Sequence, residues 1–264
     1  MRISPRATAY NNLTISLNQN FFNYVEYRTS NHPPAMKNRY LKGAHISERK
    51  VRELLKLFCE DLTATQIANI SGISRITVNA YLKMIRTHIA KYCEDHKPVH
   101  TINGHAPFEA GENGHTLPIE RNGTPVKKSF YGLFKYENAV YTDQLTHLDP
   151  FWLHDWLKGK AAADPVFLKQ SRLNMYNGIA DFNTVKLFRV NNVTITKGRP
   201  QIDEIDLFWG LLKSRLVKFR GLNSSTLYLH VKETEFRYNY RNQDIFEMLI
   251  NIIHKIPLHL SRMD

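Results

Sequence analysis

Arg75, Asn79 and Lys83 stand four residues apart, the spacing that sets side chains on one face of an α-helix. Arg and Asn pair bidentately with guanine and adenine edges in a major groove, and Lys83 with the following Arg86 suits phosphate oxygens. The chemistry of this constellation is the reading of double-stranded DNA. The competing interpretation is a plain three-helix bundle with a solvated polar face.

The elements that must present this face are legible around it. From Ser47 onward, Val51, Leu54, Leu55, Leu57 and Phe58 recur at three- and four-residue spacing, with Ser47 as N-cap and Lys50, Arg52 and Lys56 toward solvent. A second helix starts at Thr63. Ala68 is small where two helices would cross, Gly72 can take the left-handed turn conformation, Ser74 caps the next helix, and Val78, Leu82 and Ile85 form its buried stripe. The pattern predicts a helix-turn-helix DNA-binding domain over residues 36–100.

The whole chain fits that partner. Its 264 residues include 36 Lys+Arg against 24 Asp+Glu, a formal net charge of +12, and 42% apolar residues. The charge points to a polyanion, and the apolar content excludes a disordered tail protein. Residues 36–100 hold 12 Lys+Arg and 6 Asp+Glu, and residues 183–241 hold 11 and 5, so two regions are strongly basic. No run approaches the roughly 18 apolar residues of a membrane helix, and no secretory core occupies the first residues, so no membrane partner and a cytoplasmic location are expected. Cys59 and Cys93 lack zinc-site spacing and are expected to pack between helices.

Residues 1–35 form an Asn-, Ser- and Thr-rich lead that ends in a breaker, Asn31 to Pro34, just before Met36, a candidate start. Phe21, Phe22, Tyr24 and Tyr27 could instead pack on the body. Residues 101–127, rich in Gly, Asn, His and Pro, read as linker plus a possible short strand. Strand-like runs follow at Ser129–Lys135 and Ala139–Leu145, separated by a hairpin signal, then a helix with Asp149 as cap and Pro150 at its first position. Val166–Lys169 and Thr184–Val190 are further strand candidates. Two helices are expected over about Ile202–Phe219 and Ser225–Asn239.

Gln201 through Leu222 resembles the C-terminal block of a group of bacterial insertion-sequence transposases. That block reads approximately His-Ile-Asn-Gly-Ile-Glu-x-Phe-Trp, then Lys four residues after the Trp, then Arg-Leu-x-Lys-Phe-x-Gly. Asp203, Ile205, Asp206, Phe208, Trp209, Lys213, Arg215, Leu216, Lys218, Phe219 and Gly221 carry the likeness. Tyr228 through Asn239 is similar to the family's Leu-Lys-Glu-x-Glu-Phe-Arg-Phe-Asn run. Met36–Gly43, Phe130–Lys135 and Ala139–Thr142 are similar too, so the resemblance spans about residues 36–250.

The resemblance implies an α/β architecture, with a ribonuclease-H-like mixed sheet flanked by helices over residues 101–264. It implies carboxylates that hold two Mg²⁺ (or Mn²⁺) ions for DNA strand cleavage and transfer. The partner would be double-stranded DNA at terminal inverted repeats, bound by a homo-oligomer in the synapsed state, in a bacterial cytoplasm near the nucleoid. Carried over position by position, the first Asp falls on Glu109, the second on Ser171, the third acidic block on Asp203 with Asp206 nearby, and the associated Lys on Lys213. Glu109, Asp203 and Asp206 are the expected metal ligands, and Glu109, Asp203 and Lys213 the expected catalytic set. Asp164, Asp181 or Glu112 could substitute. Asp203 and Asp206 are equally interpretable as a helix first turn favoured by the helix dipole.

Lys213, Arg215, Lys218 and Arg220 place four cations in eight residues and are expected to contact phosphate. Because a neutral Ser171 cannot bridge two metals, the catalytic triad reads as degraded. Three functions follow: an insertion-sequence transposase, a catalytically inactive transposase-derived DNA-binding regulator, and a ribonuclease-H-fold nuclease.

Overall fold

The computed structural model describes residues 40–42, 46–98, 130–190, 195–196, 199–200, 202–219 and 224–259. The expected lead, residues 1–35, and the possible strand in 101–127 lie outside the described residues.

Three helices open the described chain: α1 (Glu48–Cys59), α2 (Ala64–Ser71) and α3 (Arg75–Asp95). Each starts on a side-chain cap. Ser47 accepts from the Lys50 amide, Thr63 and Gln66 form a reciprocal capping box, and Ser74 accepts from the Thr77 amide at 3.2 Å. Gly72 ends α2 at φ +70°, a left-handed position that glycine occupies without strain, and Gly72-Ile73-Ser74 is the whole turn into α3. Leu54 and Leu55 of α1, Ile67 of α2 and Val78, Leu82 and Ile85 of α3 are fully buried or nearly so.

The chain's other end completes this core. Phe236, Leu249, Ile250, Ile253 and Leu258 belong to the same buried cluster. Three of these come from α8 (Ile245–Lys255), a helix beyond the two expected in the last third and capped by Asp244. A short parallel pair, β1 (Leu41–Lys42) with β8 (Leu258–His259), ties the two ends together.

Between them lies a four-stranded sheet of β2 (Phe130–Tyr136), β3 (Ala139–Gln144), β4 (Gly178–Asp181) and β5 (Lys186–Arg189), in the order β3-β2-β4-β5. All three pairings are antiparallel, so the α/β class stands while the mixed sheet implied by the resemblance is absent among the described residues. Gly132 is required by close approach, since a Cβ there would lie 2.4 Å from the Tyr176 ring. A further two-residue pair, β6 (Ile195–Thr196) with β7 (Arg199–Pro200), follows.

Two of the expected strands are corrected. Val166–Lys169 lies within a helix, α5 (Pro165–Gln170), because Pro165 opens it and the Asp164 carbonyl accepts from the Leu168 amide at 2.9 Å. The strand expected from Thr184 starts only at Lys186, because the Asp181 carboxylate holds Asn183 and Thr184 in a turn. The helix capped by Asp149 is α4 (Pro150–Leu157).

Helices α6 (Glu204–Val217) and α7 (Ser224–Asn239) cover one face of the sheet. Ile205, Phe208, Trp209 and Leu212 of α6 meet Leu227, Val231 and Tyr238 of α7 and Tyr131, Leu133 and Ala180 of the strands. Burying each large apolar side chain there contributes about 1.5–3 kcal/mol. Phe130, Phe134 and Ile179 face the other way, onto Leu153 of α4, Leu173 and Tyr176. Every residue from His230 to Phe236 is buried, so α7 is a central helix with the N-terminal bundle on one side and the sheet on the other.

Candidate nucleic-acid interface

Arg75 occupies the first position of α3, and Asn79 and Lys83 follow at four-residue steps. All three side chains are exposed, and none makes a hydrogen bond or ion pair among the described residues. Ser74, which caps the helix, fixes the direction in which the Arg75 end emerges from the turn. Ile76 stands in the same face, three residues before Asn79 and seven before Lys83, and is 81% exposed.

Arg86 lies on the Arg75 side of α3 about three turns later, where the body covers the helix. It is buried, and its Nε donates to Glu233 Oε2 at 2.7 Å. Arg86, expected to contact phosphate, is thus held in an internal ion pair. The same holds for Arg215: it is 4% exposed and donates to Glu233 Oε1 at 2.7 Å, Asp61 Oδ1 at 2.7 Å and Thr234 Oγ1 at 3.0 Å. Lys218 is exposed but closes on Asp61 Oδ2 at 2.8 Å. Arg220 lies outside the described residues. Lys213 is exposed, with Nζ 5.6 Å from the centroid of the Trp209 ring.

Glu233 is the hub of this network. Its Oε1 also accepts from Arg237 Nε at 2.9 Å, and Arg237 in turn donates to the Phe58 and Cys59 carbonyls at the C-terminal end of α1. Burial alone would raise the Glu233 pKa, but Arg215, Arg86 and Arg237 outweigh it and hold the carboxyl well below the usual range. One carboxylate thus joins α1 and α3 of the bundle to α6 and α7. His230 sits beside it, and burial together with Arg86 and Arg215 lowers its pKa to about 4.

The neighbouring face of α7 seals an edge of the sheet. Val140 and Thr142 turn their backbone groups outward from the edge strand β3. The Asn239 amide exchanges two bonds with Val140, both at 2.9 Å. Glu235 Oε2 accepts from the Thr142 amide at 3.0 Å, and Lys232 Nζ donates to the Thr142 carbonyl at 2.8 Å. These side chains take the place of another strand. Lys232 also pairs with Glu94 at 2.8 Å, and Lys97 pairs with Asp143, so the C-terminal end of α3 is pinned to the sheet as well.

Of the expected metal ligands, Asp203 and Asp206 stand together at the start of α6. Glu109 and the alternative Glu112 lie outside the described residues. Asp203 is the N-cap of α6, accepting from the Ile205 and Asp206 amides at 3.0 and 3.1 Å, while Asp206 reaches back to the Asp203 amide at 3.3 Å. Arg189 adds a bidentate pair on Asp203, and its hydrogen bonds lower the Asp203 pKa to about 2 against the opposing cost of burial. The guanidinium also approaches Asp206 to 3.5 Å. This set does not fit a divalent ion, because the carboxylates already serve a helix terminus and a fixed cation.

Ser171 is nearly buried and its hydroxyl donates to the Leu168 carbonyl at 3.3 Å. Asp181, an alternative carboxylate, is fully buried and accepts from the side chains of Asn183 and Thr184. Asp164, the other, is exposed just before α5. No group of three or more His, Cys, Asp or Glu among the described residues is arranged to hold a metal ion, and no helix among them is long and apolar enough to cross a membrane.

The residues that sequence reasoning missed are Asp61, Glu233, Glu235 and Asn239. For Glu233 and Glu235 the signal is the charged run Lys232-Glu233-Thr234-Glu235 inside an otherwise apolar helical pattern, which is more than one solvated face requires, whereas no local pattern marks Asp61 or Asn239. The chain matches no protein-family model, no curated protein and no solved structure.

Proposed function

We propose that this chain is a sequence-specific binder of double-stranded DNA, of transposase ancestry, that reads its site with α3. One contrast carries the proposal. Arg86, Arg215 and Lys218 are matched to internal carboxylates, whereas Arg75, Asn79 and Lys83 are left exposed and unmatched along one face of a helix that begins at a tight glycine turn. In this reading, α2 crosses the phosphate backbone and the N-terminal half of α3 enters the major groove. Arg75 and Asn79 address base edges, and Lys83 addresses phosphate.

The test is binding of the full chain to duplexes drawn from the gene's own flanking DNA, measured by fluorescence anisotropy across a salt series. Arg75→Ala is expected to cost about 1–3 kcal/mol and to relax preference at one base pair. Lys83→Ala is expected to weaken all duplexes alike and to reduce the salt slope by about one. If neither substitution alters binding, α3 is not the reading element.

Strand cleavage with Mg²⁺ or Mn²⁺, the reaction that the resemblance implies, is no part of this proposal. Asp203 would first have to release Arg189 and its capping bonds, and Ser171 offers no charge. The reading is therefore the regulator form of the family rather than its enzyme form.

A further inference from the structure

We infer that Ile76 is a specificity-determining residue that contacts the 5-methyl group of a thymine, within about two base pairs of the adenine addressed by Asn79; this rests on the DNA-reading role of α3. Among the described residues Ile76 is the most exposed large apolar side chain, at 81%. It sits in the first turn of α3, where it adds nothing to the core and where a β-branched residue gains nothing in helix propensity.

A lone exposed isoleucine needs no explanation in general. This one lies in the stripe of Asn79 and Lys83 at i+3 and i+7 and directly follows Arg75, so its neighbours are chosen for a polyanion. An apolar group in that company has one complementary feature in a B-form major groove, the thymine methyl. Hydrogen-bonding edges would be desolvated by isoleucine without replacement and would disfavour it. Three residues along α3 correspond to about 4.5 Å of rise, a little more than one base-pair step, which places the methyl next to or one pair beyond the Asn79 contact.

The experiment starts by enriching binding sites from a random-sequence duplex pool with the full chain. Each thymine of the enriched site is then replaced singly by deoxyuridine, which removes only the methyl. The expected result is one position at which the replacement weakens binding about fourfold, the equivalent of burying one methyl-sized group. For Ile76→Ala, the thymine and deoxyuridine duplexes are expected to bind equally, while discrimination at the Asn79 position persists. Ile76 is exposed, so the variant is expected to melt with the natural chain, and a melting curve checks this.

If a sequence is enriched but every deoxyuridine duplex binds like its parent, or Ile76→Ala keeps the methyl sensitivity, the inference is overturned and the reading of α3 survives. If no sequence is enriched, both fall.

Discussion

Replacing Glu233 by Gln tests whether the bundle and the α/β body are one cooperative unit. The carboxylate is 1% exposed and accepts from Arg86 at 2.7 Å, Arg215 at 2.7 Å and Arg237 at 2.9 Å. Arg215 would keep Asp61 and Thr234, and Arg237 would keep the carbonyls that end α1, but among the described residues no other anion closes on Arg86. Removing one partner of a buried ion pair costs about 3–5 kcal/mol, because the other charge is left uncompensated. With a urea slope near 3 kcal/mol per molar, the unfolding midpoint should fall by about 1–2 M. Asp95→Asn, which breaks the exposed Lys91–Asp95 pair at 3.0 Å, is the control and should change stability by less than about 1 kcal/mol. Arg86→Met in the Glu233→Gln background should recover part of the loss, since it removes the orphaned cation. A Glu233→Gln midpoint indistinguishable from that of Asp95→Asn would refute the hub, as would two separate transitions in the natural chain.

Three other perturbations follow from the same geometry. His230 titrates near 4 in the folded chain against an ordinary 6.5, so folding favours its neutral form; stability is full above about pH 6.5 and is lost as pH falls toward 4, by up to about 3 kcal/mol, and His230→Asn should flatten melting temperature over that window unless the two profiles run parallel. Gly132→Ala drives a methyl to 2.4 Å from the Tyr176 ring and should cost about 1–3 kcal/mol by chemical denaturation, with partial rescue by Tyr176→Leu; a neutral effect of Gly132→Ala would contradict the packing. Arg189→Ala removes the largest cause of the low Asp203 pKa, so a carboxyl NMR titration should move from about 2 toward 3.8, and a value unchanged near 2 would assign the shift to the helix terminus instead.

What was legible in the sequence was local. Ser47, Thr63, Ser74 and Asp149 announce helix starts, and Gly72 announces a turn, because each acts on backbone groups within four residues of itself. The C-terminal helix carries the same signals, with Asp244 as cap and Ile245, Leu249 and Ile252 at helical spacing. Val166–Lys169 misleads because a short apolar run suits a strand as well as a helix, and the decisive signal is Pro165. Arg86 and Arg215 show where local reasoning ends. Both look like surface cations, and a sequence names no partner for them; Glu233 stands 147 residues from Arg86 and 18 from Arg215. The candidate site divides in the same way. The face of α3 follows from periodicity alone, whereas the fate of each remaining cation depends on which carboxylates the fold brings to it.

That division bears on how the chain could read DNA. A 21-residue α3 is about 31 Å long. Its C-terminal half is held by Arg86 to Glu233, by Glu94 to Lys232 and, just past its end, by Lys97 to Asp143. The N-terminal half extends from that anchored base, buried through Val78, Tyr81 and Leu82 and exposed along Arg75, Asn79 and Lys83, and it is steadied at its start by the α2 turn, where Lys50 Nζ donates to the Ser71 carbonyl at 2.6 Å. If α3 reads DNA as proposed, a helix fixed in this way has little orientational entropy to lose on binding, so fewer contacts are needed for a given affinity. It would also carry the body with it: on the proposed reading, the direction in which Arg75, Ile76 and Asn79 enter a groove sets where α6 and the sheet lie along the duplex. Loosening Glu233 should therefore weaken binding beyond what the residual folded fraction accounts for, even though Glu233 is buried far from the reading face.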